Sequence, residues 1–400
     1  MNVLIISQTF EIVGGSDVIA RLSARVMEEA GHTAHFFAAL DPDDKDDGIH
    51  PYADHFFAPK SQNVWRFMYS PQARARLEAF LDANPVDVAH LHIHYGTLTS
   101  SILRPLKKRG IRIVQHLHEY RTYCSISVPV RDGETCQSCR VGSYLSGLKH
   151  KCNRGSLARS VISTAEMYVA DRLGAKTAPD LFLTVSDFQR DILIEQGMPA
   201  DRIKTLYNPV HHDFFTVEPK HDGGVLFIGR LEDYKGIYDI IKVAAKLENV
   251  PFRIVGTGNH EAQLRSLIAE RGLTNIELTG NQTREQVLAH LAWAKVGLVP
   301  SRWNETFGLT AAEAMAAGVP VIVSRMGGLP EVVEDGVSGF VVEMGDVDAM
   351  VVLIDRLMTD REEFARVSKQ ARNRALEAFS ETKFTQKLAE ELVFSGTNAK

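Results

Sequence analysis

The chain has 400 residues, too many for one hydrophobic core, so two domains or slightly more are expected. Apolar residues make up 44% and charged residues 24%, the balance of an ordinary globular protein. The net charge of −5 argues against general nucleic-acid binding. No apolar run reaches the roughly 18–20 residues of a membrane-crossing helix, and residues 1–7 lack the positive flank and cleavage pattern of a signal peptide. A cytoplasmic protein is expected.

Residues 3–6 (Val-Leu-Ile-Ile) read as a buried parallel strand. A helix is expected over 16–30, stopped by Gly31. Gly14 and Gly15 lie in the turn between them, where missing side chains let a ligand approach the backbone; this is not the three-glycine dinucleotide fingerprint. Residues 35–39 give a second strand, and the acidic stretch 41–47 reads as a solvated loop. Residues 86–92 predict another strand, on which His90, His92 and His94 alternate onto one side. A metal site and the lining of a cleft at a strand end are both open readings there. Residues 111–119 form the next strand, ending in His118 and Glu119. In open α/β sheets ligands bind beyond such carboxyl ends.

All four cysteines, Cys124, Cys136, Cys139 and Cys152, fall within 29 residues. A Cys-x2-Cys pair with one cysteine on each side has the ligand count of a tetrahedral structural zinc site. Free or redox-active thiols and an iron–sulfur cluster would use the same residues, whereas disulfides do not suit a reducing compartment. From Arg104 to Lys176 there are 14 Lys/Arg against 5 Asp/Glu. A phosphorylated lipid carrier or a membrane surface would suit that stretch, and so would plain solvent. A helix over 156–173, a strand over 181–186 and a helix over 187–195 capped by Ser186 follow. Asn208-Pro209 is a hinge signal.

A second strand–helix series opens at 225–228 and runs at once into Gly229-Arg230 and Lys235-Gly236. Arginine can clamp two oxygens of a diphosphate, and lysine adds a point charge. A strand over 252–255 ends in Gly256-x-Gly258. After a strand ending at Pro300, residues 301–308 form a loop containing Glu305, and an Ala-rich helix carries Glu313 until Gly318-Val319-Pro320 stops it. Phe307, Gly308 and Leu309 supply unpaired backbone N–H groups at that helix's positive end, a natural anion site. Phosphate beside two carboxylates suggests a nucleotide sugar. Helices over 349–358, 362–379 and 382–394 complete the chain.

The run Pro300-Ser301-x3-Glu305-x-Phe307-Gly308-x4-Glu313-Ala314-Met315-Ala316-x-Gly318-x-Pro320 resembles the Glu-x7-Glu signature of family-4 retaining glycosyltransferases. His118-Glu119-Tyr120 resembles the family's His-Asp-Tyr segment with Glu in place of Asp, and a cysteine-bearing insert follows that segment in a subset of members. The resemblance covers nearly the whole chain, with its specific motifs in the second half. It implies the α/β GT-B fold, two Rossmann-like domains facing a central cleft. The first spans 1–212 with the insert 124–152, the second 213–375, and the helix 376–400 returns to the first.

The family pattern implies sugar transfer from a UDP- or GDP-sugar to a glycan or lipid-linked hydroxyl acceptor, in surface polysaccharide or glycolipid assembly. His118, Glu305, Arg230 and Lys235 would serve catalysis. Gly15, Arg230, Lys235, Gly256, Phe307, Gly308, Leu309 and Glu313 would bind the donor, with Glu313 on the ribose hydroxyls. No cofactor is implied for the chemistry, and zinc on the cysteines would be structural. Trp303 and Asn304 would touch donor selection. A GT-B epimerase or phosphorylase would share the fold, and a non-catalytic sugar-nucleotide scaffold would keep it while tolerating loss of His118 or Glu305.

Overall fold

Alternation along the first strand, Asn2–Thr9 (β1), decides the layering around it. Val3 and Ile5 join one buried cluster with Ile19, Val26 and Phe36. Leu4 and Ile6 point the other way, onto Leu77, Phe80 and Leu106. A strand buried on both faces has to be covered by helices on both sides. The computed structural model describes residues 1–9, 14–39, 56–57, 63–131, 133–220 and 222–393; the acidic stretch 41–47 lies outside them.

The chain forms two compact units. The first comprises Met1–Pro129, Gln137–Leu206 and the segment from Phe384 onward; the second comprises Val130–Cys136 and Tyr207–Lys383. In the first, β1 is joined by Thr33–Ala39 (β2), Phe56–Phe57 (β3), Val88–Leu91 (β4), Arg112–Leu117 (β5), Leu181–Thr184 (β8) and Ile203–Thr205 (β9). Their order is β3-β2-β1-β4-β5-β8-β9, and every pairing is parallel. Val130–Arg131 (β6) and Glu134–Thr135 (β7) make a small antiparallel hairpin.

The second unit is built from Val225–Ile228 (β10), Phe252–Val255 (β11), Ile276–Gly280 (β12), Val296–Val299 (β13), Val321–Ser324 (β14) and Gly339–Val342 (β15). All are parallel, in the order β12-β11-β10-β13-β14-β15. That is the doubly wound 3-2-1-4-5-6 arrangement, with its switch point between β10 and β13. Its core joins Val225, Phe227, Ile240, Ile254, Leu298, Ile322 and Ile354.

Several helices arise where local chemistry prescribes them. Ser186 Oγ accepts from Gln189 N at 3.0 Å and starts Asp187–Glu195. Asp360 Oδ1 accepts from Glu362 N and Glu363 N at 3.0 and 2.9 Å and starts Arg361–Phe379. The helix Pro71–Ala83 is an addition to the sequence reading: Ser70 caps it, Pro71 opens it, and Ala73, Leu77, Phe80 and Leu81 bury one face. The last helix, Glu381–Val393, places Phe384, Leu388 and Leu392 in the core around Val3 and Ile5. Among the described residues no helix is long and apolar enough to cross a membrane.

Candidate functional site

In the second unit, the loops after β10 and β13 meet at the switch point, where an α/β sheet offers its ligand crevice. Lys235 ends the short turn Asp233–Lys235. Gly236 follows with φ +74°, and a Cβ there would stand 1.8 Å from the Pro300 carbonyl oxygen. Only glycine permits that backbone approach. Arg302 N donates to the Tyr234 carbonyl at 2.8 Å, which ties the two loops again.

This register brings Lys235 and Glu305 together. Lys235 Nζ donates to Glu305 Oε1 at 2.7 Å, and Ser301 Oγ donates to the same oxygen at 2.6 Å. Glu305 is buried, as is Trp303, whose ring lies 5.2 Å from the Lys235 ammonium. Trp303 therefore packs the loop from within. Behind it Arg302 grips Asp239 through two bonds of 2.6 and 2.9 Å. Asp239 is fully buried; burial alone would raise its pKa, but Arg302 and Lys242 outweigh that and hold it below the usual carboxylate range.

Gly308, at φ +105°, begins the helix Leu309–Ala316. Phe307 is buried against Phe379 and Tyr207, so the amides of the helix's first turn are fixed in place. Ala311, Ala312, Ala314 and Met315 bury the helix, leaving Glu313 half-buried. Burial pushes the Glu313 carboxyl up to about 8, with Arg284 pulling the other way. Gly256 has φ +132°, and a Cβ on it would lie 2.0 Å from the Gly229 carbonyl oxygen, so it supports the turn that leads into Arg230. Arg230 itself is 70% exposed, 3.3 Å from Glu232 Oε1. Glu232 also receives Asn259 Nδ2 at 2.9 Å. Arg230 thus stands toward solvent, engaged by Glu232, while Lys235 is the cation held on Glu305.

In the first unit, Gly15 opens the helix Gly15–Glu29, and the Gly14 N–H donates to Asp17 Oδ2 at 3.0 Å. One amide of that turn is therefore already taken by the chain's own carboxylate. His118 lies just beyond β5, its Nε2 2.9 Å from His92 Nδ1. Burial pushes His118 down to about 3 and His94 to about 4. Since β4 ends at Leu91, the strand alternation expected over 90–94 stops at His90. His92 and His94 are nevertheless buried beside it. The Glu119 carboxyl is raised by burial and accepts from Ser127 Oγ at 2.7 Å and from Tyr95.

A cavity of about 60 Å³ opens there, lined by His92, His116, His118, Glu119, Arg121 and Glu166 among others. Arg121 pairs with buried Glu166. Lys176 lies 2.5 Å from Asp171, and burial lowers its pKa to about 7. Nothing local in the sequence singles out Glu166, Asp171 or Lys176; Arg121 alone adjoins a recognisable segment.

Cys124, Cys139 and Cys152 belong to the first unit and Cys136 to the second. Burial pushes the Cys124 thiol up to about 12, with Cys139 and Cys152 adding in the same direction. Among the described residues, the groups of three or more side chains whose ligand atoms lie within 4.8 Å of one another are His90 with His92 and His116, and His211 with His212 and Glu381. The cysteines as placed do not form such a set, and no chemical step is assigned to an ion on them.

Two doubly wound units, the second with its loops joined at the switch point, define the GT-B class. Residues 13–214 match Glycosyltransferase Family 4, and residues 212–374 match Glycosyl transferases group 1. The chain belongs to glycosyltransferase family 4. It is 31% identical over 215 residues to an MMP alpha-(1->4)-mannosyltransferase of Mycolicibacterium hassiacum, covering 52% of each chain. It is 30% identical over 224 residues to an amylovoran biosynthesis glycosyltransferase of Erwinia amylovora, covering 52% of this chain and 54% of that one. The match thus spans about half the length of these curated relatives. In fold it is similar to Anabaena HepE in complex with UDP and glucose, with a TM-score of 0.69, 18% identity, and coverage of 98% of this chain and 99% of that one. A sucrose-phosphate synthase from Thermosynechococcus elongatus gives a TM-score of 0.72 at 18% identity, covering 99% and 100%.

Proposed function

We propose that the protein transfers a glycosyl group, with retention of configuration, from a nucleotide sugar to a hydroxyl of a glycan or lipid-linked acceptor in surface polysaccharide or glycolipid assembly. The observation that carries this reading is the Lys235–Glu305 pair at the switch point of the second sheet, on the loop leading into the Gly308-headed helix that bears Glu313. A cation, a row of fixed amides and a carboxylate together suit a diphosphate joined to a ribose. HepE, similar in fold, was solved with UDP, and the mannosyl and amylovoran relatives agree with the reaction class.

In this scheme the C1–O bond to the diphosphate breaks, and its electron pair stays on the leaving oxygen. Lys235 and Arg230 stabilise that charge. The acceptor oxygen bonds to C1 on the same face and passes its proton to a diphosphate oxygen, so no enzyme nucleophile and no cofactor are called for. Glu305 orients Lys235 and faces the sugar hydroxyls, the amides of Phe307 to Leu309 meet phosphate, and Gly256 keeps the Arg230 turn close. Glu313 accepts from the ribose hydroxyls. His118 is assigned to the transferred sugar, and Gly15 to backbone contact with the diphosphate.

Thermal shift against UDP-, GDP- and ADP-sugars tests the donor site, because a ligand of the native state raises Tm by mass action. One nucleotide class should stabilise the wild type and leave Glu313→Ala unmoved. Product from that donor and an acceptor glycan, with the anomeric configuration read by NMR, then tests transfer and retention. Stabilisation by NAD(P) alone would overturn the reading.

A further inference from the structure

The histidines of the first unit do more than flank His118. His90 lies on β4 and His116 on the neighbouring β5; the parallel register pairs His90 with Val114 and Leu91 with Gln115, which brings the next residue, His92, level with His116. The three rings converge, with centroids 4.4 Å apart for His90–His92, 5.6 Å for His90–His116 and 5.4 Å for His92–His116. One ring nitrogen from each lies within 4.8 Å of the other two. All three residues are at most 1% exposed. Both ring nitrogens of His90, both of His116 and Nε2 of His92 have no hydrogen-bond partner.

That combination is costly without an occupant. A neutral imidazole carries one N–H donor and one lone pair, and leaving such groups dry and unpaired incurs their full desolvation penalty. An apolar core would fill this space with leucine or valine; three converging imidazoles are instead the donor set of a zinc ion with an open fourth position. Ligation at about 2.0–2.1 Å needs only a modest closing of rings already this near. The adjoining cavity, lined by His92 and His116, has room for a water as fourth ligand, since about 10–15 Å³ holds one.

We propose that His90, His92 and His116 bind a divalent transition-metal ion of the zinc type. Through His92 the ion also governs His118. With Nε2 of His92 on the metal, its Nδ1 carries the proton and donates to His118 Nε2, the 2.9 Å contact of the structure. A ligating histidine is normally held by such an outer partner. The bond fixes His118 in the tautomer protonated on Nδ1 and sets its ring orientation. His92 is thus a ligand, and His118 is its outer partner. The metal site stands independently of the transferase reading; only the consequence for His118 rests on it.

Cobalt(II) tests the site, since its visible bands report coordination and its near-ultraviolet charge-transfer band reports thiolate. The full chain with all four cysteines changed to serine should bind one cobalt per chain, with four-coordinate visible bands and no thiolate band. His90→Asn and His116→Asn in that background should weaken binding at least about tenfold and abolish the rise in Tm on adding metal. If the serine variant does not fold, zinc-edge X-ray absorption of the zinc-loaded wild type should show about three nitrogen ligands that His116→Asn reduces. Failure of the folded wild type to bind metal at stoichiometric concentration would overturn the proposal and leave ordered water as the occupant. Binding unchanged by both asparagine variants would overturn it as well. None of these readouts depends on transfer activity.

Discussion

Lys235 and Glu305 share a hydrogen bond of 2.7 Å across 70 residues of chain, and Ser301 supports the same carboxylate oxygen. Each partner restrains the other, so the ammonium is held in position before any substrate arrives. Such preorganisation spares the reorganisation that a mobile surface lysine would undergo during the reaction. Lys235→Met should lower kcat for transfer by about 10²–10³-fold while changing the donor KM much less. Steady-state kinetics of the variant check this, with Lys235→Arg recovering part of the loss.

Glu313 gives a pH signature. Its folded-state pKa is raised to about 8, above the usual carboxylate value, so the native state holds this proton more tightly than the unfolded chain. The resulting stability is fully present below the unfolded value of about 4.3 and is lost as pH rises toward 8. Glu313→Gln should flatten the decline in Tm between pH 5 and 8, read by calorimetry on the two proteins without ligand. Ribose binding draws on the ionised form, so wild-type affinity for the nucleotide should increase over the same range. In Glu313→Gln that pH dependence should vanish, and at pH 8 affinity should fall by about 10–100-fold, the worth of hydrogen bonds to a charged group.

Gly256→Ala should be destabilising by about 1–3 kcal/mol or more, because the position combines φ +132° with a carbonyl oxygen 2.0 Å from any Cβ. Urea denaturation measures the loss. A variant that still folds should bind the donor more weakly, since the turn leading to Arg230 has to shift. Gly272→Ala, also at positive φ but with nothing within 4 Å, should cost less and leave donor binding intact.

Asp239→Asn should cost about 3–5 kcal/mol in urea denaturation. The substitution leaves the Arg302 guanidinium without the carboxylate that now meets it through two bonds. Because Arg302 adjoins Ser301 and Trp303, donor binding should weaken along with stability.

Much of the second sheet is legible in the sequence because strands buried on both faces read as unbroken apolar runs, as in Val225–Ile228 and Val321–Ser324. Glycines at the switch point are equally visible. Other features are not, for physical reasons. The Pro71–Ala83 helix buries only a narrow face among arginines, so its periodicity is faint. Asp239 looks like a solvated acid until the fold brings Arg302 to it from 63 residues away. The histidines at 90, 92 and 116 cluster only because β4 and β5 pair in one particular register. A scan along the chain meets them as two separate strand ends.

The last helix has a consequence for how the protein is made. Phe384, Leu388 and Leu392 sit in the same buried cluster as Val3, Ile5 and Ile19, so the first unit to leave the ribosome is the last able to close its core. Residues 207–383, the main body of the second unit, are synthesised while the first still exposes an apolar face, a state prone to self-association. Domain-by-domain maturation in order of synthesis is therefore not open to this chain. A stop codon between residues 343 and 383 would leave both sheets fully encoded and the older unit unfinished.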